Sequence, residues 1–108
     1  MSPINYKNIL QVRIQKEFKV TPYYMETQEY SIDKGYTMGV FLCLGQNTHN
    51  LSVVQSKPIQ DFRHFGHIHQ YMAEHAKVFI LLGSSVHKIK KKAEQIACEI
   101  ALSSIEKF

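Results

Sequence analysis

The densest run of chemically useful side chains in this sequence is His87-Lys88-Ile89-Lys90-Lys91-Lys92. Residues just after it recur at helical spacing, so these lysines open a helix. Unpaired backbone N–H groups and the positive end of the dipole favour anions at that point. Positive side chains oppose the same dipole, so a merely solvated helix end gains nothing from them. The pattern therefore suits phosphate, with Lys90 and Lys91 best placed and Lys88 and Lys92 alongside. His87 adjoins the run and adds charge in mildly acidic solution.

Other reactive types are less well arranged. Four of the six histidines, His64, His67, His69 and His75, lie close in sequence. His64 and His67 are one helical turn apart and could share an ion, but His75 lies about 16 Å further along the axis. Zinc wants three or four convergent ligands and no cysteine is near, so surface histidines without metal are expected. The nine acidic residues are scattered singly, which excludes two-metal phosphodiester hydrolysis within the chain. Neither a phosphate-cradling glycine loop nor a nucleophile elbow is present. The expectation is a binding module, with no catalytic residues and no cofactor. Cys43 and Cys98 sit in apolar stretches and read as buried thiols of an intracellular, reducing compartment.

A length of 108 residues allows one domain, spanning 1–108. A formal charge of +4 with 44% hydrophobic and 20% charged residues describes a globular, mildly basic chain. No apolar run approaches the roughly 20 residues needed to span a bilayer. The first residues carry no cationic and apolar leader, so neither secretion nor a membrane is expected.

Tyr6, Ile9, Leu10, Ile14 and Phe18 predict a first helix capped by Asn5 and ended before Pro22. Tyr23 to Tyr30 predicts a strand, Ser31 to Gly35 a turn, and Met38 to Leu44 a second strand. Val78 to Leu82 predicts a third, closed by Gly83-Ser84-Ser85. Neither of the last two alternates apolar and polar residues, so both faces of the sheet should be covered. Ala93, Ile96, Ala97, Ile100, Ala101 and Ile105 form the stripe of a final helix.

About thirty residues separate the second and third strands, far beyond a hairpin loop. Leu51 to Val54 could form a short strand. Pro58 to about Ala76 predicts an inserted amphipathic helix, weakened by Gly66, with Phe62, Phe65, Ile68 and Met72 on one side. The whole insert covers about 46–76. One expectation lays that apolar side over the outer sheet face carrying Phe41 and Cys43. The other leaves the insert or the outer face to dock a protein partner or a second copy.

The α-β-β-β-α order, with lysines opening the last helix, resembles the double-stranded-RNA-binding domain. Lys90-Lys91-Lys92-Ala93-Glu94-Gln95-Ile96-Ala97 is similar to that family's KKxAEQxAA signature. Asn5 to Gln11 resembles the first-helix opening of the domain that follows the nuclease in ribonuclease III and Dicer-like proteins. Pro22-Tyr23-Tyr24 resembles the family's Pro-Glu-Tyr entry into strand one. The resemblance implies an α+β fold: a three-stranded antiparallel sheet backed by two helices, here with the extra helix.

It also implies sequence-independent binding of double-stranded RNA, read through shape, phosphates and 2′-hydroxyls, in an RNA-processing protein. Lys90 and Lys91, with Lys88, Lys92 and His87, would then meet phosphates across the major groove. Gln11, Gln15 and Lys7 on the first helix, and Lys34 in the loop between strands one and two, would face minor grooves. Two departures stand out. Val12 occupies the place of a family glutamate, and Ser31-Ile32-Asp33-Lys34 replaces a Gly-Pro-x-His loop. They favour a rival role as a dimerisation or protein-docking version of the fold; a structural ribonucleoprotein component is a third.

Overall fold

The computed structural model describes residues 3–108. Helix α1 (Tyr6–Phe18) is followed by strands β1 (Tyr23–Ser31) and β2 (Gly35–Leu44). The insert holds β3 (Lys57–Pro58) and α2 (Phe65–His75), with single 3-10 turns at Val53–Gln55 and Ile59–Asp61. Strand β4 (Val78–His87) and helix α3 (Lys90–Glu106) complete the chain. The domain is α+β, with three α-helices and one mixed sheet of order β1-β2-β4-β3. The first three strands are antiparallel, and β3 runs parallel to β4. The expected three-stranded sheet thus gains a fourth member, because the insert returns along β4 before forming its helix. No helix among the described residues is long and apolar enough to cross a membrane.

Helix α1 forms as its residue types dictate. The Asn5 Oδ1 accepts the Asn8 backbone N–H at 3.1 Å, and Leu10, Ile14 and Phe18 bury one side. Lys19, at φ 63°, closes the helix in the left-handed conformation. Helix α3 follows its expected stripe only in part. Ala93, Ala97, Cys98, Ala101, Leu102 and Ile105 are buried, whereas Ile100 is 43% exposed and Ile96 half-buried. The helix is rotated so that its alanines, with Cys98, Leu102 and Ile105, face inward, while Ile96 and Ile100 do not. Gly83 explains why: a Cβ there would stand 2.4 Å from the Ala97 carbonyl oxygen and 2.8 Å from the Ala101 nitrogen. Helix backbone rests on strand backbone, and only small residues fit between them. Gly83 therefore does not end β4, which continues to His87 past an irregularity in its pairing with Val40 and Phe41. Pairing between β1 and β2 also slips, between Glu26 and Gln28 and again before Ser31.

Two corrections concern the insert. Its helix is shorter than expected, because Pro58 lies in β3 and Phe62 ends a 3-10 turn. Val53 and Val54 likewise enter a 3-10 turn instead of a strand. Nor does α2 cover the outer sheet face. Ile59, Phe62 and Ile68 join Leu10, Ile14, Val40, Leu42, Ile80, Ala97 and Leu102 in one core, so the insert extends the helical layer. Edge-to-face packing of Phe65 on Phe18, with centroids 5.2 Å apart, fixes it against the end of α1.

The opposite face closes largely by itself. Phe41 and Phe79 stack at 4.7 Å and 12°, with Tyr23 beside both at 6.3 and 6.5 Å. Gly39 leaves room for them, since a Cβ there would meet the Phe41 ring at 2.8 Å. Leu51 and Gln55 border the recess beside Phe79. The missing alternation thus does mark two apolar faces, one under helices and one carrying the aromatic cluster of Tyr23, Phe41 and Phe79.

Between α3 and β1 the Tyr24 hydroxyl meets the Cys98 sulfur at 3.3 Å. Burial, then the contact with Cys98, pushes the Tyr24 phenol far above its ordinary 10.0. Burial also raises the Cys98 thiol above 9.0. Both raised groups are neutral in folded and unfolded chains below about pH 7.5, so their contribution is then complete. As pH climbs through 9 and 10 the unfolded chain ionises while the folded one does not, and stability must fall. Urea midpoints measured from pH 7 to 11 should therefore decline from about pH 9 upward, and Tyr24→Phe should flatten the decline above about pH 10.

Candidate nucleic-acid interface

Helix α3 begins without any side-chain cap and without an acidic residue in its first turn. The Lys90 and Lys91 N–H groups thus stay available while the Lys92 N–H donates to the Ile89 carbonyl at 3.0 Å, and the side chains of all three lysines are exposed. The turn leading into it is held by His87, whose Nδ1 accepts the Ile89 backbone N–H at 2.9 Å. His87 therefore shapes the approach to the helix through one ring nitrogen.

The lysines fan out from this point. The Lys88 ammonium donates to the Ile32 carbonyl at 2.8 Å, fastening the turn between β1 and β2 to the start of α3. Lys90 lies 3.5 Å from Glu26 of β1, and both remain substantially exposed. A pair of that kind is worth little and exchanges readily. Lys91 lines a polar cleft with Asn5, Lys7, Asn8, Gln11 and Gln95, which brings Gln11 of α1 beside α3. Lys92 borders a neighbouring cleft with Tyr6, Ile96 and Glu99. Gln15 is exposed one turn beyond Gln11 but does not line the Lys91 cleft. Lys34 is exposed in the turn that Lys88 anchors.

Lys7 serves the protein itself. Its ammonium lies 2.9 Å from Glu94, with the Glu94 side chain only 14% exposed, and 4.6 Å from the centre of the Tyr24 ring. Gln95 completes the same junction. Its Oε1 accepts the Tyr6 N–H at 2.8 Å, and its Nε2 donates to Asn5 Oδ1 at 3.0 Å. Half of the lysine motif, Ala93, Glu94, Gln95 and Ala97, is thus spent on seating α3 against α1 and the sheet. The three lysines face outward. Sequence reasoning missed the roles of Glu94, Gln95 and Glu26, because each depends on a partner about sixty or more positions away. Asn5 gave one usable signal, since a helix cap must lie at a helix end that something else can reach.

The histidine run performs capping. His64 Nδ1 accepts the His67 N–H at 3.0 Å at the start of α2, and His67 Nδ1 accepts the Arg63 N–H at 3.2 Å. The first bond is that of an N-cap residue, and the second reaches one residue before the cap, where a capping box would reach the cap itself. Gly66 fits beneath it, since a Cβ there would come within 3.0 Å of the His64 ring. His69 lies 3.0 Å from Glu17 and joins α2 to α1. Among the described residues no three histidine, cysteine or acidic side chains converge on a common point. His64→Ala should cost about 1 kcal/mol in urea unfolding and speed amide exchange in α2, whereas His64→Ser should restore both.

No protein-family model matches this sequence, and no curated protein is significantly similar to it.

Proposed function

We propose that this domain binds double-stranded RNA without reading its sequence, as a recognition module that does no chemistry itself. The observation that carries the proposal is the uncapped first turn of α3, with three exposed lysines and no acid. A-form RNA offers rows of phosphate on both sides of a deep groove, which the exposed ammonium groups at this helix start would meet. The layout supports the reading: α1 and α3 lie on one face of β1, β2 and β4, as expected of a double-stranded-RNA-binding domain. Gln11 beside Lys91 extends the surface along α1 toward an adjacent minor groove.

The test is titration of a duplex of about 16 base pairs, in RNA and DNA forms, at low and moderate salt. RNA should bind more tightly than DNA, with affinity falling steeply as salt rises. Equal affinity for both duplexes, or none for either, would reject the proposal.

One observation favours a protein-contact role instead. The tip of the turn between β1 and β2 presents Ile32, 82% exposed, beside Tyr30 at 53%, where donors to RNA would be useful. Sedimentation of the free domain separates the readings, since self-association that disappears in Ile32→Ser would favour protein contact.

A further inference from the structure

The insert builds a further concave feature at the opposite end of α3 from Lys90. Its 3-10 turn Ile59–Asp61 and the residues following it lie against the last turn of α3, bordering an open cleft of about 520 Å³. Ile59 and Phe62, 1% and 5% exposed, form the apolar floor, and Phe108 forms a wall. Gln60, Arg63, Ser104 and Lys107 supply the polar rim. No acidic residue lines the cleft, and among the described residues neither Arg63 nor Lys107 forms an ion pair. Ser104 lies fourteen positions after Lys90 on the same helix, or about 21 Å along its axis.

An apolar floor with a few converging polar groups is the usual make-up of a small-molecule site, and the volume falls in the ordinary range. Lys107, just past the end of α3, also offsets the helix dipole. Arg63 has no such duty, and Asp61 and Glu106 lie nearby in sequence without entering the lining. The charge complementarity is therefore with an anion, and the floor calls for an apolar body.

We propose that this cleft binds a small amphipathic carboxylate: a flat or acyl apolar body held against Phe108, above the nearly buried Ile59 and Phe62, its carboxylate between Arg63 and Lys107. The guanidinium can hold two carboxylate oxygens at once, the ammonium adds a point charge, and Ser104 can donate to the same group. This site is independent of the RNA surface, and its success or failure leaves that reading untouched.

The test uses naphthalene-2-carboxylate and its uncharged carboxamide as probes, followed by two-dimensional amide NMR of the whole chain. The carboxylate should shift resonances of residues 59–63 and 104–108 in a saturable manner, and bind about tenfold more tightly than the carboxamide. Both cations are exposed, so Arg63→Gln with Lys107→Gln should leave other resonances in place. It should remove the carboxylate's advantage while leaving carboxamide binding unchanged. Equal affinity of the two probes, shifts centred elsewhere, or no saturation by about 5 mM would each overturn the proposal.

Discussion

Gly83→Ala should cost about 3 kcal/mol or more, at the upper end of what adding one methyl group to a core does. Overpacking a core usually costs about 1–3 kcal/mol because side chains can yield. Here the added carbon would meet the Ala97 carbonyl oxygen at 2.4 Å and the Ala101 nitrogen at 2.8 Å, and both are helix backbone. Relief requires moving α3 away from β4, which would loosen Ala93, Ala97, Cys98 and Ala101 together. Thermal unfolding should drop by about 12 °C or more, at about 4 °C or more per kcal/mol for a domain of this size. Ser84→Ala, next along the strand and partly exposed, should change little. A loss below about 1 kcal/mol for Gly83→Ala would mean that α3 is not seated as described.

Lys90→Ala with Lys91→Ala should weaken duplex RNA binding by about ten- to a hundredfold, and lower the salt slope by about two. Both side chains are exposed, and removing positive charge from a helix start does not harm the helix, so the melting temperature should hold or rise slightly. Lys7→Ala should behave in the opposite way. It strands Glu94 at the junction with α1, so stability falls, and affinity changes chiefly through that loss. Glu26→Gln offers a finer check, because it releases Lys90 from its 3.5 Å neighbour. RNA affinity should then rise by about two- to threefold, on the scale of an exposed ion pair. Should the lysine double variant bind RNA as well as its parent, the interface lies elsewhere.

What could be read from the chain was local. Asn5 before Leu10, Ile14 and Phe18 specified α1, and the alanine-rich repeat specified α3, since each needs only its own helical turns. The unalternating runs around Phe41 and Phe79 did signal two covered faces. They gave no clue to the cover, because aromatic rings packed on one another and a packed helix leave the same imprint on a strand. The side on which α2 lies depended on Phe65 meeting Phe18 and Ile68 entering the common core, contacts that span about fifty residues. Within the lysine motif, charge was legible and division of labour was not. Nothing local distinguishes a Glu94 that pairs with Lys7 from one that faces water.

The sheet order has one more consequence. Its two margins are β1, whose pairing slips twice and which carries Glu26 and Glu29, and β3, which is two residues long and ends in Pro58. Interrupted ladders, negative side chains and proline all discourage a neighbouring chain from adding a strand. The fold therefore carries its own guard against edge-to-edge aggregation, so concentrated solutions should stay free of amyloid-like assembly while β1 keeps its irregular, acidic rim.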